Sequence, residues 1–119
     1  MYIYSFEKLD VWKEAKDFTI EIYGITNLFP ESEKFGITSQ LRRASVSICS
    51  NVAEGSARKT NRDKAHFTTI SFGSAVEVLN QLILATELGF ISQENYIKLR
   101  IKLESITNKL NALRNHQTK

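Results

Sequence analysis

Four stretches of this chain repeat their apolar residues at helical spacing with only short breaks between them, and no strand-like alternation bounded by glycine or asparagine turns competes. That pattern confines the chain to an all-α architecture. The first stretch runs from about Asp10 to Leu28, with Val11, Trp12, Ala15, Phe18, Ile22, Ile25 and Phe29 on one arc at about 100° per residue. Pro30 ends it, and Glu31 to Gly36 form the one long link. The second opens at Thr38, whose hydroxyl suits a helix cap, and continues to about Ala57. The third starts at Thr60 or Asn61, with Asp63 favouring the positive end of the helix dipole, and stops before Gly89. The fourth runs from a Ser92 cap to about Arg114.

Short links join helices that lie antiparallel, so the expected fold is an up-down-up-down four-helix bundle. A length of 119 residues supports one such domain, spanning 1–119, and no second core. The faces carry more apolar surface than one bundle needs. The second helix has a main stripe of Leu41, Ala44, Ile48 and Val52 and another of Val46, Cys49 and Ala53. On the third, only Thr69, Gly73, Glu77, Asn80 and Glu87 mark a continuous polar side, and Gly73 suits close helix approach. The fourth adds Ile97 and Ile101 beside its Tyr96, Leu99, Leu103, Ile106, Leu110 and Leu113 stripe. Soluble monomers rarely expose such a surplus, so these faces predict self-association into a homo-oligomer.

Charge is uneven. The net value is +3, yet residues 42–64 concentrate Arg42, Arg43, Arg58, Lys59, Arg62 and Lys64 against only Glu54 and Asp63. A cluster of this kind attracts polyanions, RNA first among them. The single cysteine, the lack of a charged-then-apolar leader and the absence of a long uninterrupted apolar run lead to the expectation of a reducing, cytoplasmic location with no membrane.

The stretch Arg42-Arg43-Ala44-Ser45-Val46-Ser47-Ile48-Cys49-Ser50-Asn51-Val52-Ala53-Glu54-Gly55 resembles the hallmark of a bacterial four-helix-bundle family, the 23S rRNA intervening-sequence proteins, also labelled S23 ribosomal proteins. Leu9-Asp10-Val11-Trp12, Phe29-Pro30 with Glu33 and Phe35, Gly73-Ser74 followed by Glu77, and Leu88-Gly89-Phe90 fall in the family's order and spacing. Val52, Ile37 and Val78 stand where the family shows Ile, Leu and Leu. The resemblance covers nearly the whole chain. It implies a ring-shaped homopentamer of antiparallel bundles and no established enzymatic activity. It also implies kinship to the accessory protein of diversity-generating retroelements, which works with nucleic acid and a reverse transcriptase.

The candidate nucleic-acid-binding residues are Arg43, Arg58, Lys59, Arg62 and Lys64. The last four flank the turn between helices two and three, which a ring would repeat around one rim, and several phosphate contacts made together give strongly salt-dependent affinity. Aromatic residues are missing from this turn, which argues against sequence-specific reading of single strands. Arg42 flanks the apolar stripe and is expected to pair with a carboxylate of helix one or of a neighbouring subunit, whereas Arg43 is compatible with either a structural or a phosphate-facing role. Asn51 and Glu54 read as architectural, and Cys49 as a small hydrophobe.

Catalysis is not expected. Arg62 and His66 stand one helical turn apart, but the spacing fits a helical ribonuclease poorly and no second acid/base partner lies nearby in sequence. Metal-ligand spacing and glycine-rich phosphate loops are lacking, so no cofactor or metal is expected. Two classes of function remain: a non-enzymatic oligomer that binds RNA or another nucleic acid, and a structural or protein-interaction scaffold.

Overall fold

The computed structural model describes residues 1–119. Its helices are α1 (Asp10–Thr26), α2 (Ile37–Ser56), α3 (Asn61–Glu87) and α4 (Gln93–Gln117), with 3-10 turns at Ser5–Lys8 and Glu31–Glu33 and no strands. Cross-helix contacts fix an antiparallel register on all four sides. Thr19 of α1 meets Ser45 of α2, Ser47 meets Ser74 of α3, Thr68 meets Gln117 of α4, and Glu21 of α1 meets Lys102 of α4. The chain is thus a closed up-down-up-down four-helix bundle.

Local chemistry explains the helix ends, and some depart from expectation. α1 stops at Thr26, two residues early, as the chain tightens through Leu28 N–H to Ile25 O and Phe29 N–H to Thr26 O, both 3.1 Å. Phe29 is buried beyond the helix, its ring 5.6 Å from that of Phe90. α2 starts one residue before Thr38, and Thr38 does not cap it. The Glu33 carboxylate takes that role, accepting from the Ile37 N–H at 3.4 Å, an anion well placed at a helix N-terminus. Thr38 lies inside the first turn, buried, its hydroxyl unpartnered.

The starts of α3 and α4 and the end of α3 are as expected. Thr60 Oγ1 accepts from Asp63 N–H and Ser92 Oγ from Asn95 N–H, each at 3.1 Å. Gly89, at φ 80°, closes α3 in a Schellman motif, with Phe90 N–H to Ala85 O at 2.9 Å and Gly89 N–H to Thr86 O at 3.0 Å. α4 runs three residues past Arg114, held by the 2.8 Å bond from Thr68 Oγ1 to the Gln117 side chain.

Phe18, Ile22, Leu41, Ile48, Val78, Leu82, Ile106 and Leu110 form the fully buried centre. Around it the seams differ. The α2–α3 seam is narrow and polar: Ser47 and Ser74 hydroxyls lie 2.8 Å apart, Ser71 Oγ donates to Ile48 O at 2.9 Å, and Gln81 Nε2 donates to Gln40 Oε1 at 3.3 Å. Small side chains let the backbones approach. The glycine that permits this is Gly55, where an added Cβ would sit 2.9 Å from Phe67 Cβ; Gly73, expected to do so, faces open space. The α1–α4 seam is the loosest, a groove of about 510 Å³ floored by Phe18 and Ile106 and crossed by Lys102–Glu21 and Lys109–Glu14 ion pairs.

By length and composition α3 is apolar enough to cross a membrane. Its buried Thr68, Ser71 and Gln81 bond into α2, α4 and its own backbone, as expected of a core helix in a bundle. Its outer surface keeps Ile70, Val76, Ile83 and Leu84 exposed, and Ile97 and Ile101 are exposed on α4. On α2 the second stripe is partly absorbed. Cys49 is half-buried with its Sγ 3.6 Å from Thr19 Oγ1, and Val46 alone of the three stays exposed.

Candidate nucleic-acid interface

One end of the bundle collects the start of α1, the end of α2, the start of α3 and the end of α4. At its centre is the turn Ala57–Thr60. Gly55 makes the turn tight by admitting Phe67 against α2, and Ala57 and Arg58 N–H groups bond back to Glu54 and Gly55 carbonyls at 3.1 Å. Arg58 lays its guanidinium over the Phe67 ring, 4.4 Å from the centroid, which holds the charge at the surface without neutralising it. Lys59 and Arg62 are exposed, and none of Arg58, Lys59, Arg62 or Lys64 forms an ion pair. Lys64 is half-buried in a cleft of about 230 Å³ that also includes Ser5, Asn61, His116 and Gln117.

Four of the five sequence candidates therefore stand together. Arg43 does not: fifteen residues along α2 separate it from Arg58, roughly 22 Å of helix. It lies exposed in a shallow depression with Gln40, Ala44, Ser47 and Glu77 on the α2–α3 flank. Arg42 is structural, but its partners are not carboxylates. Its Nε donates to Thr26 Oγ1 at 2.8 Å, its Nη2 to Asn27 Oδ1 at 2.9 Å and Tyr23 O at 3.4 Å, and its guanidinium covers the Tyr23 ring. It clamps the C-terminal end of α1, where free carbonyls and the dipole favour a cation.

Asn51 is architectural, its Nδ2 donating to Ser47 O at 2.9 Å and Ser47 Oγ at 3.0 Å, while Glu54 stands exposed. Cys49 packs in the bundle. Burial pushes its thiol pKa up from 9.0 against the opposing hydrogen bond from Thr19, which keeps it protonated at neutral pH. His66 lies edge-on against Phe67, and no three His, Cys, Asp or Glu side chains gather as a metal site.

Sequence reasoning missed two contributions to this end. The extended α4 brings His116 to the cleft, with Arg114 in its last turn; the cue was the closely spaced Arg114 and His116. The fold also supplies aromatics that the turn itself lacks. Tyr2 and Tyr4 are 77% and 61% exposed, and they precede Ser5, which lines the same cleft as Lys64.

No curated protein matches the sequence. Among solved structures, the bundle is similar to that of a protein of unknown function from the S23 ribosomal protein family of Bacteroides thetaiotaomicron VPI-5482. The TM-score is 0.81 at 22% identity, over 87% of this chain and 97% of that one, a likeness of fold. The family model of the 23S rRNA-intervening sequence protein matches residues 7–112. By a match that reaches into all four helices, the chain belongs to the 23S rRNA-intervening sequence protein family.

Proposed function

We propose that this protein is a non-enzymatic, cytoplasmic homo-oligomer that binds RNA or another nucleic acid through the basic end of its bundle. The observation that carries this reading is the gathering of Arg58, Lys59, Arg62 and Lys64 at one end with no carboxylate paired to any of them. Charges left unpaired on a rigid helix end are free to replace counterions along a phosphate backbone. Membership of a family named for rRNA spacers supports RNA as the polyanion.

The oligomer rests on the exposed apolar side chains of α3 and α4. Val76 lines a crevice with Leu79, Arg100 and Glu104, and Ile83, Ile97 and Ile101 stand exposed on the same two helices. Burial against identical copies, a pentamer by the resemblance noted above, would repeat the basic end around one rim and multiply its phosphate contacts. Heparin retention and an RNA gel shift test the reading. Both weaken steeply with salt in the native protein, and charge reversal of Arg58, Lys59, Arg62 and Lys64 to Glu abolishes both. Unchanged binding after the reversal contradicts the reading and leaves a scaffold for protein partners.

A further inference from the structure

Met1 to Ser5 presents aromatic surface where a soluble chain would ordinarily hide it. Tyr2 and Tyr4 stand mostly in solvent, yet they are not loose. The Tyr4 N–H donates to the Glu7 carboxylate at 2.8 Å, and the rings form a ladder back to the bundle: Tyr2 to Tyr4 at 5.0 Å, Tyr4 to Phe6 at 6.4 Å, and Phe6 to Trp12 of α1 at 5.0 Å. Trp12 and Phe6 are partly buried, so the inner end of the ladder is anchored while the outer rings are free. The next residue, Ser5, lies in the cleft with Lys64, Asn61 and His116.

Exposed rings next in the chain to Ser5, which shares its cleft with the unpaired Lys64, bring together the two halves of a single-strand site: base faces stack on aromatics while the backbone follows the positive charge. A duplex, whose bases are already stacked inside, uses only the second half. We infer that Tyr2 and Tyr4 form a base-stacking platform, and that the basic end prefers unpaired nucleotides to duplex. This inference rests on the nucleic-acid reading above and specifies its ligand. Nothing in the arrangement reads particular bases, because a ring face accepts any of them.

The test measures fluorescence anisotropy of the full chain with a short oligouridine and with duplex RNA of equal length. The native protein binds the single strand more tightly. The double substitution Tyr2→Ala with Tyr4→Ala weakens oligouridine binding by about tenfold or more and changes duplex binding by less than about twofold. Tyr2→Phe with Tyr4→Phe, which keeps the rings, retains the preference. Both residues are exposed, so circular dichroism should remain that of the native bundle.

Equal affinity for the two probes, or a double-Ala variant that loses both equally or neither, overturns the platform. So does a drop in molar mass of that variant, which would place the rings against a second copy. Charge reversal of Arg58, Lys59, Arg62 and Lys64 separates the two claims. If it abolishes binding while the tyrosine variants change nothing, only the platform falls. If it leaves binding intact, the underlying nucleic-acid reading falls too.

Discussion

A Cβ at Gly55 would stand 2.9 Å from the Cβ of Phe67 and 3.4 Å from the Lys64 carbonyl, both on α3, so the two helices could admit it only by moving apart. Gly55→Ala is therefore expected to lower stability by about 1–3 kcal/mol in urea denaturation, as overpacking does. Gly73→Ala, exposed with open space around it, is expected to raise stability by about 0.5–1 kcal/mol, the ordinary gain from replacing a helical glycine. Equal effects at the two sites would contradict this assignment. Both glycines are visible in the sequence, but spacing cannot say which one faces a neighbour. That depends on how α2 and α3 are rotated against each other, and polar residues in their seam take part in setting that rotation. Arg42 was legible in the same partial way: its place beside the apolar stripe marks it as structural, while its partners, the carbonyl-rich end of α1 and the Tyr23 ring, depend on where α1 stops.

Among the elements, α1 and α4 fold as their apolar stripes predict. Val11, Ala15, Phe18 and Ile22 are buried on one, and Leu99, Leu103, Ile106 and Leu110 on the other. α3 is the exception. Its polar side is as expected, with Thr69, Gly73, Glu77, Asn80 and Glu87 exposed, but it buries Thr68, Ser71 and Gln81 while leaving Ile70, Val76, Ile83 and Leu84 outside. Hydropathy ranks these residues the other way because it ignores the hydrogen bonds that make buried Ser and Gln tolerable against α2.

The α1–α4 seam adds a pH dependence. Burial raises the Glu14 pKa, but hydrogen bonds from Lys109 and Ser105 and the Lys109 charge outweigh it and hold the carboxyl below its ordinary 4.5. Lys109 is raised above 10.5, first by its hydrogen bond to Glu14. A carboxyl depressed on folding stabilises above its unfolded value and loses that contribution as pH falls through the folded one; an amine raised on folding stabilises below its unfolded value and loses it as pH rises through the folded one. Thermal unfolding should thus show stability from this pair across neutral pH and its loss below about 4.5 and above about 10.5. In Glu14→Gln the neutral-pH stability is expected to fall and the acid-side loss to flatten. An unchanged acid limb would remove Glu14 as its source.

For the molecule as a whole, charge is sorted by end. At the links and helix ends opposite the basic turn, Glu31, Glu33, Glu87 and Glu94 outnumber Lys34 and Lys98, the latter paired with Glu94, so an acidic pole faces the basic one. The sequence shows the basic cluster directly, but not the second pole or the tyrosines beside the first, because residues far apart in the chain meet only once the helices fold back on one another. The surplus apolar surface was legible on α3 and α4, and it is the feature on which the proposed oligomer depends.

Light scattering on the purified chain tests that dependence most directly. The expected result is a mass of several chains that holds on dilution, and a fall to one chain in Ile97→Glu with Ile101→Glu while helicity is retained. A native protein with the mass of a single chain at high concentration would contradict it.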